Sequence, residues 1–245
     1  MSQQFNKKSG TNKQRRVGVD SVQRSNTPFY IIGGLLIAAA IIGAVVWAVS
    51  RDNQTDTAST DILEFQPVTV TGNALPAIPE TGADPAIGQP APELKGATFD
   101  GTPVNIAKDG RAKAISFVAH WCPHCRTELP KVSSYIKDNK DKFPIEYFAV
   151  ATGSSPTRAN YPPSAWISSV GFPSPVLADD RTFPAGKAFG LSSYPYFVFL
   201  DANNNVVART SGEIEPSELE NYVKAATGQG PVPSTTAPPA TTPAG

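Results

Sequence analysis

Cysteine and histidine are nearly absent from this chain. Its 245 residues hold two of each, Cys122, Cys125, His120 and His124, all within one short stretch. Two cysteines cannot staple a domain of this size, and a Cys-x-x-Cys loop is too short to constrain the unfolded chain much. The pair is therefore read as chemistry and not as scaffold. A tetrahedral zinc site needs further ligands, and both histidines crowd the same turn as the cysteines, so no metal and no cofactor is expected. Net charge is missing too, with 21 Lys and Arg against 21 Asp and Glu. The balance is uneven: residues 1–28 carry Lys7, Lys8, Lys13, Arg15, Arg16 and Arg24 against Asp20 alone. The rest is slightly acidic, so nothing suggests a body that binds nucleic acid.

Charge disappears altogether from Phe29 to Val49. That apolar run makes about 31 Å of helix at 1.5 Å per residue, the thickness of a bilayer's hydrocarbon core. The basic cluster ahead of it places the N-terminus in the cytoplasm and everything after Arg51 outside. A cleaved signal peptide has a hydrophobic core of about 7–15 residues behind a short basic region. Here the run is longer and the preceding segment is residues 1–28, although Ala48-Val49-Ser50 would suit cleavage. The expectation is a cytoplasmic basic tail (1–28), a single-pass transmembrane helix in the cell membrane (29–49) and an extracytoplasmic remainder. Residues 50–88, rich in Thr, Asp, Pro and Gly, read as a linker. Within it Phe65 to Thr71 alternates and suits an edge strand, with Pro67 confining it to an edge. Residues 229–245, rich in Pro, Thr and Ala, cannot bury enough apolar area to order themselves.

Between these lies a body, 89–228, in which strand and helix patterns alternate. Phe99 to Val104 reads as a short hairpin. Ala112 to Ala119 is nearly continuous apolar sequence, as in a strand covered on both faces. Glu128 to Asn139 places Leu129, Val132, Tyr135 and Ile136 on one helical face. Ile145 to Ala151 reads as a second central strand, Ser164 to Val170 as a short helix and Ser174 to Leu177 as a short strand. Phe183 to Phe189 forms a helical turn stopped by Gly190. Tyr196 to Leu200 and Val206 to Thr210 flank an Asn-rich turn that tolerates left-handed geometry. Pro216 to Ala226 closes the body as an amphipathic helix. Strands alternating with helices argue an α/β three-layer sandwich.

Cys122 and Cys125 stand where an apolar strand runs into a helix, and a Cys-x-x-Cys pair in that setting reads as a redox motif. Several motifs in the same order resemble the thioredoxin superfamily, and within it the membrane-anchored TlpA/ResA-like branch, over roughly residues 88–228. They are Gly88-Gln89-Pro90-Ala91-Pro92, the hairpin, Trp121-Cys122-Pro123-His124-Cys125, Arg126-Thr127-Glu128-Leu129-Pro130 and Tyr194-Pro195. Two features depart from the common pattern. Ser116 occupies the place where thioredoxins keep a buried acid, and Pro123-His124 is the dipeptide of DsbA-type oxidases.

The thiolate is the attacking species in disulfide exchange, and a helix N-terminus or a nearby cation lowers its pKa. Cys122 is expected exposed just ahead of the helix, as the nucleophile, with Cys125 shielded one turn inside as the resolving thiol. Pro123 suits the first helical turn, and Pro130 should kink the helix. His124 is positioned to stabilise the Cys122 thiolate, which would make the disulfide a stronger oxidant. Glu128, by resemblance, serves as acid and base for Cys125; the alternative is a solvated helix carboxylate. Trp121 is expected to cover the disulfide and His120 to face solvent. The resemblance also implies a cis Tyr194–Pro195 bond packed against Cys122, with Tyr194 lending main-chain contacts to an incoming peptide. The implied activity is an extracytoplasmic thiol–disulfide oxidoreductase acting on exported protein thiols and disulfides with an unidentified membrane redox partner. The dipeptide favours a dithiol oxidase. A reductase for cytochrome c maturation is the near alternative, and a copper-delivering protein or a non-catalytic binding module the distant ones.

Overall fold

Ala112–Val118 (β4) is buried at all seven positions because it has strand neighbours on both sides and covered faces above and below. The computed structural model describes residues 62–233. Its main sheet has the order β6-β5-β4-β7-β8, with β5 at Ile145–Ala151, β6 at Val176–Ala178, β7 at Tyr196–Leu200 and β8 at Val206–Ser211. β4 runs parallel to β5 and antiparallel to β7. β6 extends the parallel side and β8 the antiparallel side, so the sheet is mixed. A second, antiparallel sheet joins β1 (Thr69–Thr71), β2 (Glu93–Ala97) and β3 (Pro103–Ile106). The helices are α1 (Pro123–Asn139), α2 (Pro163–Val170), α3 (Pro184–Ala188) and α4 (Pro216–Ala226).

Alternation along the strands divides the core. Ile115, Phe117, Val150, Tyr196, Val198 and Leu200 pack on Leu94, Val104, Ile106 and Phe189, beneath the small sheet and α3. Ala114, Tyr147, Phe197 and Phe199 face the other way, onto Val132 and Ile136 of α1 and Leu219, Tyr222 and Val223 of α4. The outcome is a thioredoxin-like α/β fold, and one of its outer layers is built largely from strands. α4 begins at Pro216, and its apolar residues recur at helical spacing on one face. Burying Leu219 and Val223 contributes about 1.5–3 kcal/mol each. α1 starts earlier than its apolar periodicity suggests, because Pro123 occupies its first turn and Cys122 caps it. Pro130 lies inside α1, and the helix runs on past it. Asn204 takes φ 66° in the β7–β8 turn.

Residues 62–88 differ from the spacer their composition suggests. β1 forms the edge of the small sheet, and Leu75 and Ala86 are buried in the core. Asp84 makes a fully buried ion pair with Arg209 of β8. The basic tail and the apolar run 29–49 lie outside the described residues, as does the tail from 234. Among the described residues, no helix is long and apolar enough to cross a membrane.

Candidate active site

β4 ends at Val118 and α1 begins at Pro123, so the four residues between must turn the chain from sheet to helix. Cys122 is the N-cap, in extended conformation at φ −77° and ψ 119°, and its sulfur accepts the Cys125 N–H at 3.5 Å. The helix N-terminus thus turns a backbone donor onto Sγ. Pro123 at N1 forfeits only a donor that the helix would leave unpaired. Cys125 lies inside the helix at 0% exposure, and the Ala119 N–H donates to its sulfur at 3.4 Å. Burial pushes the Cys125 thiol up, with the neighbouring Cys122 adding to it. Both cysteines are free thiols.

The opposite wall is the loop before β7. The Tyr194–Pro195 peptide is cis, and the Tyr194 carbonyl lies 3.7 Å from Cys122 Sγ, as its acceptor. Trp121 closes the site from the side: its indole N–H donates to the Gly153 carbonyl at 2.8 Å, and its ring meets Tyr194 edge-on at 5.5 Å. The Arg158 guanidinium lies over the same ring at 4.0 Å. Gly153 has φ +62°, and a Cβ there would collide with the Tyr194 hydroxyl. Its lack of a side chain is what lets Trp121 and Tyr194 meet.

Two positions differ from expectation, and at a third the structure removes one of two readings. Cys122 stands at the predicted place but is only 5% exposed, because the neighbouring aromatic residues and the proline loop wall in its sulfur. His120 is buried, not solvent-facing: Nδ1 donates to the Ala159 carbonyl at 2.9 Å and Nε2 accepts the Ser155 N–H at 3.1 Å. Those partners fix the neutral ring with its proton on Nδ1, and burial lowers its pKa. Glu128 is no solvated helix carboxylate either. It is buried, accepts the Ile214 N–H at 3.3 Å and lies 3.5 Å from Lys131 Nζ. Burial raises its pKa, against the pull of the Ile214 N–H and Lys131.

His124 projects from the helix start with its side chain 61% exposed, and its Nδ1 lies 2.9 Å from Glu213 Oε1. Among the described residues, no hydrogen bond joins the imidazole to either sulfur. Glu213, Gly153 and Arg158 went unnoticed in the sequence. Only a positive-φ glycine could have signalled one of them, and Gly153-Ser154-Ser155-Pro156 reads as any loop.

Chemically the site offers a thiol at a helix N-terminus beside the Tyr194 carbonyl, and a shielded second thiol one turn inside. It also offers a buried carboxyl one helical turn beyond the second thiol. A family model described as Redoxin matches residues 86–225. The thiol:disulfide interchange protein HelX of Rhodobacter capsulatus is 23% identical over 180 residues, covering 74% of this chain and 85% of HelX. The thiol-disulfide oxidoreductase ResA of Bacillus thuringiensis is 24% identical over 140 residues, covering 56% of this chain and 77% of ResA. An uncharacterized conserved protein from Geobacillus kaustophilus superposes with a TM-score of 0.53 at 20% identity, covering 70% of this chain and 92% of that one. That likeness speaks for the fold alone.

Proposed function

The chain belongs to the Redoxin family and is a thiol–disulfide oxidoreductase; from that premise we propose that Cys122 and Cys125 reduce disulfides of exported proteins from outside the cytoplasm. The observation that carries this reading is the placement of Cys122 Sγ, between the Cys125 N–H at the head of α1 and the Tyr194 carbonyl.

In the forward direction the Cys122 thiolate attacks a substrate disulfide. One S–S bond breaks, a mixed disulfide forms, and the departing substrate sulfur takes up a proton. Cys125 then loses its proton and attacks the Cys122 sulfur, closing Cys122–Cys125 and releasing the second substrate thiol. Two electrons and two protons have passed to the substrate, and a dithiol donor at the membrane must return them. Cys125 is held as a thiol by burial, so its step needs a base. Glu128, buried one helical turn along, is our candidate for that role. Trp121, Tyr194 and Pro195 form the surface against which the substrate segment lies. Segment 29–49 is the proposed anchor, supported by its length, its lack of charge and the basic residues before it.

The reducing direction is supported by His124 being engaged with Glu213 instead of the sulfur. The second reading, a dithiol oxidase, rests on the Pro123-His124 dipeptide itself. Two measurements decide. Cys122→Ser must abolish reduction of insulin by the dithiol form; retained turnover refutes the exchange reading. The equilibrium potential against glutathione gives the direction, and a value near that of DsbA, about −120 mV, assigns it to oxidation.

A further inference from the structure

The turn between β8 and α4, residues 212–215, touches three parts of the site at once. Its Gly212 N–H donates to the carbonyl of Pro195 at 2.9 Å. Its Glu213 carboxylate spans two side chains of α1, with His124 Nδ1 2.9 Å from one oxygen and Lys131 Nζ donating to the other at 3.1 Å. Its Ile214 N–H reaches the buried Glu128 at 3.3 Å. The proline loop and the first two turns of the catalytic helix are therefore joined through three consecutive residues that thiol exchange does not itself require.

We infer that Glu213 is a positioning residue of the redox centre: it holds the His124 imidazole through Nδ1 and keeps it from the Cys122 sulfur, so that the Cys122 thiolate is stabilised less than Cys-Pro-His-Cys alone would allow. The inference rests on the thiol–disulfide reading above and deepens it by naming what sets the direction of exchange.

The electrostatics run in one direction. A cation near the Cys122 sulfur favours the thiolate, hence the reduced form, and so makes the disulfide more oxidising. A carboxylate hydrogen-bonded to the imidazole fixes its orientation and sets a negative charge beside it. Glu213 is well suited to this. The hydrogen bond with His124, followed by Lys131, holds its carboxyl below the usual range, so it is ionised at neutral pH. His124 is mostly exposed, and among the described residues Glu213 is the side chain that hydrogen-bonds its ring. Without the carboxylate, the imidazole is free to turn toward the helix N-terminus, and Lys131 is left paired with Glu128 alone.

The test uses the full chain in detergent, equilibrated in glutathione redox buffers, with the reduced fraction read by thiol trapping. Four proteins are compared: wild type, Glu213→Gln, His124→Ala and the double variant. Glu213→Gln is expected to shift the equilibrium about tenfold toward the dithiol form, about 30 mV more oxidising for a two-electron couple. In the His124→Ala background the same substitution should shift it less than twofold. A merely structural role for Glu213 would not depend on His124. An equal shift in both backgrounds overturns the inference, because the effect would then run through Lys131 or the turn. No shift in either background overturns it too. A wild type that never exchanges with glutathione refutes the underlying oxidoreductase reading instead, and the two failures are thus told apart. Glu213→Asp, which keeps the charge, should stay within about twofold of the wild-type equilibrium; with thermal midpoints unchanged, a shift as large as that of Glu213→Gln overturns the inference.

Discussion

Asp84→Ala should destabilise the domain by about 3–5 kcal/mol, the usual cost of stranding one member of a buried ion pair. The pair is closed on every side. Arg209 Nε donates to Asp84 Oδ2 at 2.7 Å and Nη2 donates to Oδ1, while both side chains are essentially inaccessible to water. Nη1 donates to the carbonyls of Pro76 and Phe189 at 2.7 and 3.2 Å, and lies 3.1 Å from the Tyr196 hydroxyl. Those acceptors stay when Asp84 is removed, but Nε and Nη2 lose theirs in a space that water does not reach. A guanidinium cannot shed its proton to escape the penalty. With a urea dependence of about 2 kcal/mol per molar, the midpoint should fall by roughly 1.5–2.5 M. Replacing both partners, Asp84→Leu with Arg209→Met, should recover much of the loss, since no charge then remains buried. The assay is equilibrium urea unfolding followed by circular dichroism. A loss below about 1 kcal/mol for Asp84→Ala would mean that water enters the pair, and the argument that residues 62–88 are bound into the fold would fail. The same reasoning predicts that a chain cut at residue 89, where the composition changes, is less stable than one beginning before Leu75.

Other outcomes follow from the site. Gly153→Ala places a Cβ against the Tyr194 hydroxyl at a backbone angle of +62°, so insulin reduction should fall while Trp121 emission changes; unchanged activity would show that the Trp121–Tyr194 contact is dispensable. Cys125→Ala should trap the mixed disulfide between Cys122 and substrate, visible on a non-reducing gel, and its failure to accumulate would remove Cys125 from the resolving role. His120 is neutral and buried, and its pKa is lowered from 6.5 by burial, with Arg126 adding and Glu64 opposing. The folded state therefore binds fewer protons than the unfolded chain in that window, and stability rises with pH. The hydrogen-exchange protection factors of residues 153–161, corrected for the intrinsic rate, should drop as pH falls below about 6.5, and this drop should be absent in His120→Gln; the same drop in both proteins refutes it.

Much of the fold was legible because local rules agree with tertiary packing. β4, β5, β7 and α4 lie where apolar periodicity put them, since an element buried on one or both faces must carry that pattern in its own residues. In α1 apolar periodicity begins only at Glu128; its first turn, Pro-His-Cys-Arg, carries none, and the cap at Cys122 with Pro123 behind it sets the start that the motif implies. Within residues 62–88 the edge strand is legible at β1, but the packing of the rest is not. Their Pro, Gly and Asp content looks like a spacer, yet Gly190 admits the Pro76 backbone so closely that a Cβ would strike it. The burial of His120 is not legible locally, because a histidine's exposure depends on the loop that covers it, here 153–161, some 35 positions away.

The sequence by itself determined the strands and helices and the place of the dithiol at a strand-to-helix junction. These are properties of neighbouring residues, fixed by side-chain periodicity and by the donors a helix leaves unpaired at its start. Tertiary structure alone decided which groups surround the sulfurs. Glu213 meets His124 across 89 positions, and Arg209 meets Asp84 across 125. A carboxylate in a turn looks the same in sequence whether it faces water or an imidazole. Which it faces depends on how β8 and α4 bring the turn against the head of α1, and that follows from the packing of the whole sheet.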